Sequence, residues 1–460
     1  MASLRPLTTS WVCRPSKSSG EQAVLKKAAN KVWSFLVEKF WITPGLMVIA
    51  GVLGAIGLIE IDRSGTLPVS LLQGRWLYNG GGTGARTLLG AVASSTIGVA
   101  GTVFSITIAA LSLAAGQMGP RLLRSFTHDR GNQITLGAFL ATFSYALMVL
   151  RSVRTQDEGV FVPHLALSVS ILLAFVCVGM LVYFVGHMAG RINVDTVIDL
   201  VSQDVRSAIL RLTTSEPQAA LADTQCWDQA APVLDTRRGY LQRLDQEALA
   251  NWAQDHKAAI RLLVRPGDYV FPGAPFAVVL WKEKTEGLAA VSEAINAATT
   301  LSSERTSSDD LEYTVRQLVE VAVRALSPGI NDPHTAISVL DRLGAALCDL
   351  VDRSFLTGIW PHEGRPNLVV PSVDYDGLTD AMFHMIRQNA AGSTAVLTRL
   401  LEVLASVASC EPRSDRHATL ARHAKLVTAD ARQTIKNTSD LQDVLKRFER
   451  FETVCAGRLI

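Results

Sequence analysis

The chain has 460 residues, 48% of them hydrophobic and only 19% charged, with a formal net charge of +2. That length exceeds one ordinary domain, the charge is too balanced for a nucleic-acid binder, and so sparse a charged fraction departs from soluble-domain composition. Its six cysteines form no CxxC pair and are spread too widely for a zinc site or a disulfide framework, so they read as reduced thiols.

The apolar residues concentrate before residue 193, which divides the chain into a membrane half and a soluble half. Residues 1–39 form an N-terminal cytoplasmic segment. Within it, Glu21–Phe40 fits an amphipathic helix on the membrane surface, with Lys26, Lys27, Lys31 and Lys39 toward anionic headgroups. Residues 40–192 then hold four stretches long enough to cross roughly 30 Å of hydrocarbon: Trp41–Glu60, Thr87–Gly116, Ile134–Leu150 and His164–Gly190. The first begins too late, and has too many successors, to be a signal peptide. Arginines and lysines cluster in the N-terminal segment, in the loop between spans two and three (Arg121, Arg124, Arg130) and after span four (Arg191). This bias predicts cytoplasmic N- and C-termini.

No Asp, Glu, Lys or Arg lies inside the four apolar cores. Coupled carriers depend on intramembrane ionisable groups; a channel can line its path with hydroxyls and backbone instead. The second span carries such hydroxyls. About 30 helical residues there would extend roughly 45 Å, more than the bilayer core, so the span must tilt, kink at Gly98 and Gly101, or protrude. Ser95, Thr102, Ser105 and Ser112 fall on one face, with Ala91, Gly98, Ala109 and Gly116 on or near it. One reading is close helix packing through small residues; the other is the wall of a pore in a homo-oligomer. Arg121, Arg124 and Arg130 would edge a cytosolic vestibule or contact phospholipid headgroups. Spans one, three and four read as ordinary lipid-facing helices.

Residues 193–231 read as a helix continuing from span four, followed by a linker. Residues 232–285 form a small β-rich module: Gly239–Asp245 is a strand, Gln246–Asp255 a short helix, and Ala259–Trp281 two strands around the turns at Pro266-Gly267-Asp268 and Pro272-Gly273. The module resembles a biotinyl/lipoyl barrel-sandwich. It has no exposed lysine hairpin of that kind, so no carried cofactor is expected. Residues 286–460 form a helical domain. Leu311, Val315, Leu318, Ala322, Ala325 and Leu326 make one buried stripe, capped by Ser307 or Ser308. After Ser327-Pro328-Gly329, Asp332 is placed as an N-cap with Pro333 at the first helical position. Ala336, Leu340, Leu343, Leu347 and Leu350 are the next stripe. Asn331, Asp332 and His334 gather at this junction, either as a ligand or ion site or as a connector satisfying helix ends. Two further helices follow, Asp374–Ala408 and Ser414–Glu452. No Walker loop, GxSxG, HExxH or paired-carboxylate motif is found, so no enzyme is expected, and no metal site is expected either.

Taken together, ALSPGINDPHTA, the preceding RQLVEVAVRAL, the GYLQRLD and RPGDYV pair, and LSLAAGQMGPRLL at the end of span two resemble DUF2254, a family of predicted bacterial membrane proteins. The resemblance spans roughly residues 35–450. It implies a bacterial inner membrane and the same order of elements, and supplies no activity. The expected fold is mainly α: a four-helix transmembrane domain followed by a cytoplasmic α+β region. The expected function is a homo-oligomeric ion channel or pore with a cytoplasmic regulatory domain. The alternative is a membrane-anchored scaffold or sensor that binds a partner, ion or small ligand.

Overall fold

The computed structural model describes residues 40–64, 80–118, 129–154, 161–191, 193–216, 227–281, 287–305, 309–362 and 365–457. The expected N-terminal amphipathic helix, the Ser307 or Ser308 cap, Arg121 and Arg124 lie outside them. The chain forms two compact units: Met1–Leu113 with Leu123–Gly190, and Ala114–Leu122 with Arg191–Ile460.

The first unit is built on four helices long and apolar enough to cross a membrane: α1 (Ile42–Ser64), α2 (Gly82–Met118), α3 (Arg130–Ser152) and α4 (His164–Arg191). Lipid tails are as apolar as leucine, so helices here associate by close packing and polar contacts rather than by the hydrophobic effect. Gly51 of α1 shows the close packing. A Cβ at that position would lie 2.8 Å from the carbonyl oxygen of Ala141 in α3. All four helices contribute to one cluster (Ala55, Leu89, Ala146 and Leu167 among its members), and a second joins Ala100, Val103, Phe139 and Phe184.

Span three is not an ordinary lipid-facing helix. Half of its apolar window is buried, against 17% and 22% for its neighbours. It carries buried Asn132, Gln133, Thr135 and Thr142. Thr43 donates to Gln133 at 2.8 Å, and the Cys177 thiol lies 3.2 Å from Thr142. Its lower hydropathy, 1.6, is the mark of a helix that faces protein on most sides.

Carboxylates fasten the helix ends. Asp62, near the end of α1, accepts the backbone N–H groups of Leu165 and Ala166 at 3.2 and 3.0 Å. Orphan N–H groups at a helix start favour such a negative partner. Asp129 caps α3 through Gly131 N–H and sets its other oxygen 2.6 Å from His187 Nε2. Gly131 leaves room for these groups, since a Cβ there would lie 2.7 Å from His187 Nε2 and 2.9 Å from the Tyr183 hydroxyl.

In the second unit, α5 (Val194–Leu212) does not continue α4. Asn193 caps it afresh by accepting from Asp195 N–H. Its stripe of Val197, Ile198, Val201, Val205 and Ile209 is buried, so this helix belongs to the helical bundle rather than to a linker. It packs on α8 (Leu311–Ala325) and α9 (Pro333–Cys348). Each of these fully buried aliphatic side chains contributes about 1.5–3 kcal/mol. Asp310 caps α8 by accepting from Tyr313 N–H. The expected helix Asp374–Ala408 is two helices, α10 (Tyr375–Asn389) and α11 (Thr394–Cys410), broken where Gly392 takes φ +84°. Ser414–Glu452 likewise divides into α12 (Ser414–Thr434) and α13 (Thr438–Cys455), the latter capped by Asn437.

The β-rich part recruits strands from well beyond residue 285. A five-stranded sheet has the order β2 (Ala231–Leu234), β6 (Pro275–Trp281), β4 (Ala258–Leu262), β10 (Arg365–Val369), β9 (Ile359–His362). Its β4–β10 pairing is parallel and the rest antiparallel. A second sheet has the order β5 (Tyr269–Val270), β3 (Gly239–Leu244), β7 (Thr299–Ser302). Two short strands, β1 (Thr213–Thr214) and β8 (Ser354–Phe355), pair separately. The helices α6 (Gln246–Asp255) and α7 (Leu288–Ala298) close the sheets' core around Leu249, Ile260, Phe276 and Val291.

Candidate functional site

The second span is a 37-residue helix that runs unbroken through Gly98 and Gly101. Its packed side carries Leu89, Ala93, Thr96, Ala100, Val103 and Ala110. Ser95, Thr102, Ser105 and Ser112 all lie on the opposite side and are exposed. Ala91, Ser94, Gly98, Gly101 and Ala109 are exposed among them. Nothing lies within 4 Å of a Cβ built on Gly98 or Gly101.

The hydroxyls of this stripe bond to their own helix. Ser95 donates to the Val92 carbonyl at 3.1 Å, Thr102 to Gly98 at 3.2 Å and Ser105 to Gly101 at 2.9 Å. These bonds satisfy the donor protons while leaving oxygen lone pairs outward. The exposed surfaces of the other peripheral spans are different. Span one shows Leu46, Ile49, Leu53 and Ile56; span four shows Leu172, Phe175, Val178, Val182 and Val185. Along span two, large side chains such as Ile97, Phe104, Ile106 and Ile108 flank the stripe of small ones. Arg130, the described member of the predicted vestibule, is an exposed first-turn residue of α3.

At the second predicted site, Asn331 takes φ +48° and Asp332 caps α9. The Asp332 carboxylate accepts from His334 N–H at 3.0 Å, Thr335 N–H at 3.2 Å and the Thr335 hydroxyl at 2.6 Å. The Thr335 hydroxyl, with these backbone donors, holds its pKa below the usual carboxylate range. Both oxygens are thus engaged locally, and His334 is exposed beside them. The structure brings these residues together as a helix start.

Two features of the second unit escaped the sequence. The first is a cleft of about 610 Å³ lined in part by Arg243, Asp245, Arg265, Asp310, Thr357 and Trp360. Two of its lining residues are held in ion pairs: Arg265 lies 2.6 Å from Glu312, and Asp310 2.6 Å from Arg305. The second joins α10 and α12. Asp380 and His384, four apart on α10, meet His423 of α12. His384 Nε2 lies 3.0 Å, and His423 Nε2 3.1 Å, from Asp380 Oδ1. His423 has no exposed side-chain surface. Burial, aided by the Arg422 cation, pushes its pKa down to about 4, which leaves a neutral imidazole at pH 7. An i, i+4 Asp–His pair was a visible signal in the sequence, but the partner lies 39 positions on, and only the packing of two helices joins them.

The family model described as "Predicted membrane protein (DUF2254)" matches residues 37–406. Three uncharacterized mycobacterial proteins, MT1328 and Rv1290c of two Mycobacterium tuberculosis strains and Mb1321c of Mycobacterium bovis, are each 31% identical over 441 residues. Those alignments cover 93% of this chain and 82% of each relative. No solved structure matches the chain. With most of its length matched by the family model, the chain belongs to the DUF2254 family of predicted membrane proteins.

Proposed function

We propose that this protein is a homo-oligomeric membrane channel whose second span lines the conducting path. One contrast carries the reading. Spans one and four present large aliphatic and aromatic side chains outward, whereas span two presents a stripe of Gly, Ala, Ser and Thr. A lipid-facing surface gains from bulky side chains. A stripe of small ones suits close approach of a second copy, and its outward oxygen lone pairs suit an ion or water path. Ser95, Thr102, Ser105 and Ser112 then face a central axis, with Arg130 at the cytosolic mouth. The charge bias supports a reading with both termini, and the second unit, on the cytoplasmic side, and the family resemblance supports a bacterial inner membrane. The protein acts without an enzymatic step and without nucleic acid.

The full chain purified into liposomes is expected to pass ions above empty vesicles, and Ser105→Leu is expected to reduce that current by filling the path with an isobutyl group. A monomeric mass in nanodiscs, or no current across varied voltage, pH and tension, refutes the channel. The cleft beside Trp360 and Arg265 favours a second reading, a membrane-anchored sensor that binds a small ligand in the second unit.

A further inference from the structure

We propose that Asp380, His384 and His423 form a binding site for a divalent transition-metal ion of the zinc class. The site stands apart from the proposed pore and does not depend on it.

Two imidazoles and a carboxylate are the donor set that zinc and its neighbours take, with a fourth position open to water or another ligand. The spacing suits them. Four positions apart on α10, Asp380 and His384 project from one face, and α12 brings His423 to that face. All three donor atoms lie within 4.8 Å of one another. Ligands about 2.0–2.1 Å from a tetrahedral ion are separated by roughly 3.3 Å. The observed separations of 3.0 and 3.1 Å need only a small outward shift to admit one.

His423 is the independent sign that the cluster holds something. A buried polar group normally finds a hydrogen-bond partner. Neither ring nitrogen of this fully buried histidine has one, although Nε2 approaches Asp380 Oδ1 within 3.1 Å; the approach lacks hydrogen-bond alignment. Phe383 covers the ring edge-on, with ring centroids 5.6 Å apart. A metal ion at Nε2 supplies the partner that this buried nitrogen lacks.

Two cations border the site, and they define how it loads. Arg387 is committed to Asp430. Arg422 donates to Asp380 Oδ1 at 2.6 Å, so it competes with an incoming ion for that oxygen. It has a second carboxylate within reach: its Nη2 already lies 3.8 Å from Asp376. Arg422 is 40% exposed on the side chain and free to swing. Metal entry therefore exchanges Arg422 from Asp380 to Asp376 and ties α10 to α12 through the ion.

The test uses the full chain, purified in nanodiscs with any affinity tag removed. After dialysis against trace Zn²⁺, the wild type is expected to retain one ion per chain by elemental analysis. Loaded with Co²⁺, it is expected to show the visible absorption of a tetrahedral site. Asp380→Asn, which keeps the shape, and His384→Ala, at a partly exposed position, are each expected to weaken Zn²⁺ binding by more than about tenfold, since even outer-shell changes cost that much. Arg422→Gln is expected to tighten it, because the competitor for Asp380 is gone. No retained ion overturns the proposal. So does an ion that Asp380→Asn and His384→Ala leave in place, which would belong elsewhere on the chain, and so does weaker binding in Arg422→Gln. If His423→Ala fails to fold, those three variants decide the matter.

Discussion

Arg416 shows how much one buried side chain can organise. Its guanidinium is 1% exposed and lies 2.9 Å from Glu411, which has no exposed side-chain surface. It donates to the carbonyls of Leu350 at 2.8 Å and Arg353 at 2.7 Å, the end of α9 and the turn beyond it. It also sits 4.7 Å over the Tyr375 ring. Arg suits the place because its planar fork serves several acceptors at once. A buried pair is weak evidence of net stability, yet removing one partner strands the other charge. Arg416→Met is therefore expected to destabilise the folded chain by about 3–5 kcal/mol, with the double change Arg416→Met, Glu411→Leu recovering much of it; thermal unfolding of the two variants checks this. The sequence contains Arg416 in an ordinary-looking polar helix start. Nothing local distinguishes it from the exposed arginines nearby, because apart from Glu411 its partners come from residues 350–375.

At the scale of elements, boundaries followed residues whose local chemistry is strong. Asp332 followed by Pro333 reads as a helix start, and the structure has α9 beginning at Pro333 with Asp332 as its cap. Replacing Asp332 by Ala is expected to cost about 0.5–2 kcal/mol, seen as a lower unfolding temperature with the helix content unchanged. The pH dependence has a definite sign. The cap lowers the folded-state pKa of Asp332, so its stabilisation is complete above the unfolded carboxylate value near 3.9 and is lost as pH falls through the lower folded value. A denaturation series from pH 7 to pH 3 is expected to show the gap between wild type and Asp332→Ala closing only in that acid range. The breaks between α10 and α11 and between α12 and α13 were less legible. Between α10 and α11 the hydrophobic stripe resumes in phase after a short turn, so periodicity bridges the gap at Gly392; between α12 and α13 the break falls at the Asn437 cap. Span three misled in the opposite way. Its hydropathy suffices for a membrane span, but averaging hides Asn132, Gln133, Thr135 and Thr142, whose polarity is tolerable only in a helix surrounded by other helices.

For the whole molecule, the two-unit organisation and the charge bias make a topological prediction. An enzyme reporter that is active only outside the cytoplasm, fused after Ile460, is expected to be silent, and a fluorescent reporter at the same point to be bright; the reverse pattern would invert the proposed pore so that Arg130 lies at its outer mouth. What the sequence by itself determined is what depends on neighbours along the chain: four apolar helices, a hydroxyl stripe with helical period, caps, turns and the family. Backbone hydrogen bonds and the hydrophobic period are local, so composition and spacing carry them. Tertiary structure alone decided which of those helices is central, that residues 299–302, 359–362 and 365–369 complete the sheets, and that the hydroxyl stripe is left uncovered by the chain's own spans. It also brought Asp380, His384 and His423 to one point. Those outcomes turn on contacts between residues tens to hundreds of positions apart, where side-chain size and charge are matched across a packed interface rather than along the chain.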